Sequence, residues 1–137
     1  MNSLNRKRTF GFSLIELMIV LIVVAILVTL AYPSYINYAR KAKRGEAQQL
    51  LLNWSINQEI WRSNNPCYET VCGSTIPGVP APSHDNYNFT GVAGATTYTL
   101  TATGTGDQVN DKAKDGVTTC TLILNQNGVK APAACWN

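Results

Sequence analysis

A single carboxylate, Glu16, lies in an apolar segment that is otherwise suited to a membrane. The segment from Phe12 to Tyr32 is long enough to cross a bilayer, which takes about 20 helical residues. A charged side chain near the bilayer core costs about 2.5–3.5 kcal/mol on insertion scales, and such residues usually face protein and carry function. Glu16 therefore indicates a role beyond anchoring the chain.

The basic leader before this segment ends in a glycine at a junction suited to proteolysis. Residues 6–8 are basic, Gly11 follows, and the apolar segment begins at Phe12. A secretory signal has its small-residue cleavage site after the apolar region, whereas here the junction precedes it. Cleavage after Gly11 would leave the apolar segment on the mature chain, with a new amino terminus about one helical turn from Glu16.

Four cysteines, all beyond the apolar segment, indicate two disulfides in an oxidising compartment. This places the amino terminus in the cytoplasm and the rest of the chain across the membrane. A zinc site is the alternative, but the second pair lacks knuckle spacing and no histidine is near it. We expect Cys120–Cys135 to close the end of the chain and Cys67–Cys72 to brace a turn-rich connector, although four cysteines allow three connectivities.

The charge distribution argues against a large nucleic-acid surface. The net charge of +3 equals the charge of residues 6–8, and a basic cluster at 40–44 follows the apolar segment. Beyond that cluster, seven acidic side chains face four basic ones. Lys112 and Lys114 are the only close basic pair there, and three aspartates lie around them: Asp107, Asp111 and Asp115. Because DNA binding needs several uncompensated cations, we interpret 104–116 as a solvated polar loop.

Helical periodicity extends from the apolar segment to Trp61. Pro33 removes one backbone donor and should kink or loosen the helix where it leaves the membrane. The second half carries apolar residues on two sides. One stripe comprises Ala47, Leu50, Leu51, Trp54 and Trp61, and a nearly opposite one comprises Leu52, Ile56 and Ile60. We interpret the first as covering the chain's own domain and the second as meeting neighbouring subunits.

Strand signals follow the turn-rich stretch 63–86. β-Branched and alternating residues predict strands at Tyr87–Thr90, Tyr98–Thr103 and Thr118–Leu124, with a hairpin turn at 125–128. The fold class is α+β, with one long helix on an antiparallel sheet of three or four strands. Three parts follow: a leader at 1–11, an apolar helix at 12–39 and a head at 40–137.

The start of the chain resembles the type IV pilins. The resemblance rests on Gly11-Phe12-Ser13-Leu14-Ile15-Glu16-Leu17-Met18-Ile19-Val20. It implies that a prepilin peptidase cuts after Gly11 and methylates Phe12, and that Glu16 meets the Phe12 amine of a neighbouring subunit. Pro33 fits the same family. The segments 31–35 and 40–48 and the Cys135-Trp136 ending are similar to the PilE-like minor pilin branch.

The resulting functional expectation is a structural, minor pilus subunit. Its expected partners are other pilins, the prepilin peptidase and the inner-membrane assembly machinery, with the membrane as its site before assembly and the extracellular pilus afterwards. Such a subunit would support assembly, twitching motility, adhesion or DNA uptake; a DNA-receptor pilin and a type II secretion pseudopilin are the alternatives. We expect no enzyme, cofactor or metal, since the single histidine, His84, lies in a Pro/Ser-rich loop and is expected to be exposed.

Overall fold

The computed structural model describes residues 11–68 and 78–136. A long helix, α1 (Leu14–Asn64), precedes four strands: β1 (Tyr87–Ala93), β2 (Tyr98–Gly104), β3 (Leu122–Asn125) and β4 (Lys130–Ala131). Two short 3-10 helices lie at Gly106–Asn110 and Ala133–Cys135. The chain divides into two compact units at Ile36/Asn37. The predicted α+β class is confirmed.

The first unit contains the apolar part of α1, which is long and apolar enough to cross a membrane. Its most apolar 18-residue window has a mean hydropathy of 3.1 and none of that window is buried. The helix begins where the Leu17 N–H donates to the Ser13 carbonyl at 3.2 Å, and it continues through Pro33 without interruption. A kink at Pro33 stays a prediction.

The second unit contains an antiparallel sheet in the order β1-β2-β3-β4. Phe89 pairs with Ala102, and Ala102 pairs in turn with Leu122, so the inward positions of three strands form one row. The strand predicted at Thr118–Leu124 is wrong in its first half, because β3 begins at Leu122. Residues 118–120 pair instead with the loop beside them, since the Cys120 N–H donates to the Asp111 carbonyl at 3.1 Å.

The second half of α1 packs on this sheet. Ala47, Leu51 and Trp54 are buried together with inward residues of the strands, as the first predicted stripe requires. On the opposite side, Ile56 and Ile60 are more than half exposed. Leu52 differs from the prediction because it is partly buried against the core.

Two local predictions at the end of the chain are confirmed. A disulfide joins Cys120 to Cys135. The predicted turn joins β3 to β4, where the Gly128 N–H donates to the Asn125 carbonyl at 3.0 Å and Gly128 adopts a φ of +71°, which a glycine tolerates without strain. Cys67 is disulfide-bonded; its predicted partner, Cys72, lies outside the described residues, so that pairing stays a prediction.

Candidate functional site

The segment predicted to drive assembly is open to its surroundings. Phe12 is 82% exposed, Ile15 is 61% exposed and Glu16 is also exposed. Among the described residues, no hydrogen bond or ion pair satisfies the Glu16 carboxylate. Any partner for this charge therefore comes from outside residues 11–68 and 78–136 or is the amino group that cleavage would create.

The junction predicted for cleavage lies just before α1. Gly11 and Phe12 are exposed and precede the first helical residue, Leu14. An added Cβ at Gly11 would meet no atom within 4 Å. Packing among the described residues therefore does not require glycine at this position. The rest of the leader, residues 1–10, lies outside the described residues.

A buried ion pair that the sequence did not reveal joins α1 to the loop before β3. Arg44 Nη1 lies 3.1 Å from Asp111 Oδ2, and the two side chains are only 6% and 5% exposed. The same nitrogen is 2.9 Å from Cys120 Sγ. Burial raises the pKa of the Asp111 carboxyl above its ordinary value, and the nearby Arg44 opposes this shift. The available signal was helical spacing, because Arg44 precedes the buried Ala47 and Leu51 on one stripe.

A second arginine binds the same loop at the surface. Arg40 Nη2 and Nε donate to the two carboxylate oxygens of Asp107 at 2.7 and 3.1 Å. The hydrogen bond from Arg40 lowers the pKa of the Asp107 carboxyl. Between these pairs, the Gln108 side chain donates to the Arg40 carbonyl at 2.9 Å and to the Tyr87 hydroxyl at 3.0 Å. Residues 107–111 are therefore fixed to α1 and are not the solvated loop that the sequence predicts.

These pairings change the electrostatic surroundings of the two loop lysines. Asp107 and Asp111 are engaged by arginines, and Asp115 accepts backbone N–H groups from Val117 and Thr118, each at 2.9 Å. Hydrogen bonds from Thr118 are the main cause of the lowered pKa of Asp115. The sequence predicts three carboxylates around the lysines. In the structure, two of them, Asp107 and Asp111, pair with arginines of α1 instead.

A groove of about 700 Å³ lies beside this loop. Its lining includes three lysines: Lys41, Lys112 and Lys114. Lys112 Nζ is 3.1 Å from the Thr119 hydroxyl and 3.3 Å from the Val117 carbonyl, neither of which neutralises its charge. The groove therefore presents positive charge suited to anionic groups.

His84 is less exposed than predicted. Its side chain is 13% exposed and its Nε2 lies 3.1 Å from Glu46 Oε2 on α1. Its Nδ1 accepts the Asn86 N–H at 3.0 Å. This histidine therefore connects the loop before β1 to the helix. Within residues 11–68 and 78–136, no cluster of three or more His, Cys, Asp or Glu side chains could hold a metal ion.

Comparisons with known proteins divide the chain between two family descriptions. Residues 6–32 match the prokaryotic N-terminal methylation motif. Residues 33–123 match the family described as type IV minor pilin ComP, DNA uptake sequence receptor. Together these matches cover both the segment that contains Glu16 and most of the head.

Individual relatives point the same way. The chain is 33% identical over 85 residues to the type IV major pilin protein PilE1 of Neisseria gonorrhoeae, covering 57% of this chain and 38% of that protein. It is 29% identical over 119 residues to a fimbrial protein of Neisseria meningitidis, covering 82% of this chain and 65% of that protein. The chain therefore spans less than two thirds of the length of these two relatives. A type IV pilin structure from Shewanella oneidensis shares the fold, with a TM-score of 0.50, 24% identity and coverage of 72% of this chain and 98% of that one.

Proposed function

Because the chain belongs to the type IV pilin family, we propose that it is a minor pilus subunit that enters filaments through its processed amino-terminal segment. The observation that carries this proposal is the exposed apolar helix with Glu16 close to the junction at Gly11. An exposed apolar surface of this size needs lipid or other copies of such helices around it. A filament subunit uses both environments in turn.

The proposed maturation and location follow from the same segment. A prepilin peptidase would cut after Gly11 and methylate Phe12, while the chain spans the inner membrane once with its head in the periplasm. Periplasmic oxidation is consistent with the Cys120–Cys135 disulfide. The pilus assembly machinery would then extract the subunit into the extracellular filament, where it contacts other pilins.

In this proposal, Glu16 sets the register in which neighbouring subunits pack in the filament. Cleavage creates an ammonium group at Phe12, and the Glu16 carboxylate of one subunit would pair with that group on a neighbour. In a low-dielectric helix bundle, leaving either charge unpaired is strongly destabilising. A pairing within one chain is also geometrically allowed, because residues 12 and 16 are one helical turn apart.

The test compares Glu16→Ala with Ile15→Leu, a matched change at a neighbouring exposed position. We expect Glu16→Ala to remain in the membrane fraction but to be absent from sheared pili, whereas Ile15→Leu enters them normally. Quantitative immunoblotting of membranes and sheared filaments measures both. Normal content of Glu16→Ala in the filaments would refute the proposed role of this carboxylate.

A DNA-receptor role is the second candidate, favoured by the family match over residues 33–123. The engagement of Asp107 and Asp111 by arginines leaves Asp115, which interacts with Lys112, as the remaining carboxylate near Lys112 and Lys114 in the groove. Lysines that neutralise phosphates release counterions, so binding becomes strongly dependent on salt. Two lysines with Lys41 nearby meet this requirement better than the sequence indicated.

DNA binding by the full chain in detergent tests this candidate. The double variant Lys112→Gln/Lys114→Gln should weaken binding and reduce the slope of log affinity against log salt by about two. Lys130→Gln, which removes a lysine outside the groove lining, is the matched control and should leave the slope unchanged. Equal slopes for the double variant and the unaltered chain would exclude the groove lysines as the DNA contact.

A further inference from the structure

The head part of α1 has an uncharged stripe on the side opposite its buried stripe, although Leu52 within it is partly buried against the core. We call it the outer stripe. It comprises Tyr38, Ala42, Gly45, Gln49, Leu52 and Ile56. The spacing alternates between four and three residues, which is the pattern of the a and d positions in a coiled-coil seam. The buried stripe of the same helix, which includes Ala47, Leu51 and Trp54, lies on the other side.

The outer stripe has open apolar residues at both ends and small residues between them. Tyr38 is 80% exposed and Ile56 is 55% exposed. Gly45 lies in the helix interior, where glycine is less favourable than alanine. An added Cβ there would meet no atom within 4 Å, so the chain's own fold does not require this glycine. Small residues such as Gly45 and Ala42 allow a second helix to approach closely.

The charged residues that flank the outer stripe are complementary to a second copy of this chain. In heptad terms, Lys41 occupies a g position and Glu46 the following e position. A parallel, in-register pair of helices places the g residue of one copy beside the e residue five positions later in the other. Both side chains are exposed, and Glu46 already contacts His84 through only one oxygen. Two such opposite-charge pairs would flank the seam.

Gln49 lies near the middle of the outer stripe at an a position. A polar residue at a single a position commonly fixes the register and the number of helices in a coiled coil. Copies inserted into one membrane in the same direction share orientation and depth, so their helices are parallel and at the same level. These conditions favour the in-register pair over a shifted or antiparallel one.

We propose that two copies of this chain pair through the outer stripe in the membrane before assembly, with their α1 helices parallel and in register. The proposal rests on the proposed function only for the shared membrane orientation. Lys41 of each copy pairs with Glu46 of the other, Gln49 meets Gln49, and the helices approach most closely at Ala42 and Gly45.

Cysteine crosslinking tests the pair in membranes of an expression host that has no pilus machinery. The full chain carries either Gln49→Cys on the outer stripe or Asn57→Cys, an exposed position roughly a quarter turn away around the helix. Brief oxidation should convert most of Gln49→Cys to a dimer and at least tenfold less of Asn57→Cys. Equal crosslinking at both positions, or no dimer at Gln49→Cys, would overturn the proposal.

A charge exchange tests the register. In the Gln49→Cys chain, Lys41→Glu should reduce crosslinking severalfold, as should Glu46→Lys, which also removes the contact with His84. The combined exchange should restore crosslinking, because each new charge again faces its opposite. A combined variant that crosslinks no better than the single ones would contradict the in-register arrangement.

The variant Gly45→Leu tests the close helix–helix contact at Gly45 independently of the stability of the head. It should abolish the Gln49→Cys dimer while the head keeps or raises its thermal midpoint, since an added Cβ at this helical position meets no atom of the same copy within 4 Å. A retained dimer would contradict the close contact, and an unfolded head would contradict the assignment of open space.

A Glu16→Ala background separates this proposal from the filament role, with the dimer measured in the same membranes and filament entry measured in a host that assembles pili. The dimer should persist in a Glu16→Ala background, because the outer stripe does not include Glu16. Loss of filament entry with an intact dimer would support both proposals. If the Gln49→Cys chain forms no dimer while filament entry is normal and still depends on Glu16, the pairing alone is overturned. If the Glu16→Ala chain enters filaments normally, the filament mechanism alone is overturned.

Discussion

Arg44 connects three parts of the head that are distant in sequence. Its guanidinium contacts the Asp111 carboxylate, the Lys112 carbonyl and the Cys120 sulfur. A buried pair of this kind adds little net stability compared with apolar residues, but removing one partner leaves an uncompensated buried charge. Arg40 and Asp107 make a similar contact where the aspartate is 63% exposed. The two arginines therefore differ in what their loss would do.

We predict that Arg44→Ala destabilises the head by about 3–5 kcal/mol, because it leaves the buried Asp111 carboxylate without its charge partner. Arg40→Ala should have a much smaller effect, since water solvates the released Asp107. Denaturant unfolding followed through the fluorescence of buried Trp54 measures both. Equal destabilisation by the two variants would contradict the difference in burial.

The pKa values of the two aspartates in these pairs are shifted in opposite directions. The pKa of Asp107 is lowered by its hydrogen bond from Arg40, so its stabilising contribution is present above the unfolded pKa and is lost as pH falls through the folded one. The pKa of Asp111 is raised by burial, so its contribution favours folding at low pH and declines as pH rises through its folded pKa. Carboxyl NMR of the labelled full chain in detergent should show Asp111 titrating above Asp107; the reverse order would contradict the structure.

At the scale of elements, the end of the chain depends on the bond between Cys120 and Cys135. This disulfide brackets β3, the hairpin turn and β4, and both cysteines are buried in the core cluster. The Cys135 carbonyl also accepts the Gln48 side chain at 2.7 Å, which ties the last 3-10 helix to α1. β4 has only two residues, Lys130 and Ala131, so its pairing alone holds this end weakly.

We predict that Cys120→Ser/Cys135→Ser destabilises the head by about 3 kcal/mol, the loop-entropy value for a disulfide that spans 15 residues. Thermal unfolding measures the loss. Adding reductant to the double variant is the control, because any further change then belongs to the remaining cysteines. A double variant as stable as the unaltered chain would show that packing alone holds β4.

At the scale of the whole molecule, the two compact units bury very different proportions of their residues. The apolar window of α1 has no buried residues, whereas the head has a core of aromatic and aliphatic side chains. The head can therefore fold on its own packing, while the apolar segment needs lipid or other chains. The proposed processing at Gly11 would concern only the unit that depends on this external environment.

We predict that Gly11→Val blocks leader removal without disturbing the fold, because an added Cβ at Gly11 meets no atom within 4 Å. The variant should accumulate in membranes at full length and be absent from pili. Intact mass spectrometry should show the unaltered protein starting at a methylated Phe12. Native filaments that retain residues 1–11 would contradict this prediction.

The sequence by itself determined the features that depend on neighbouring residues. The junction at Gly11, the apolar segment with Glu16, the buried stripe of Ala47, Leu51 and Trp54, and the turn ending at Gly128 are all readable from local spacing. Periodicity reports which face of a helix or strand is apolar, because side-chain direction repeats with the backbone. It was enough to predict the α+β fold, whereas the resemblance to the type IV pilins rests on the residues from Gly11 to Val20.

Only the tertiary structure decided which charges are paired. Arg44 and Asp111 are 67 residues apart, and His84 meets Glu46 across 38 residues, so no local spacing marks either pair. Backbone hydrogen bonds hold residues 111–113 beside 118–120, and β3 begins only at Leu122. A count of charges along the sequence assigns each lysine the carboxylates close to it in sequence. In the folded chain, the pairs are set by distance in space and by burial. For this reason the sequence identified Lys112 and Lys114 as a basic pair, and only the tertiary structure showed that two of the three aspartates around them pair with arginines.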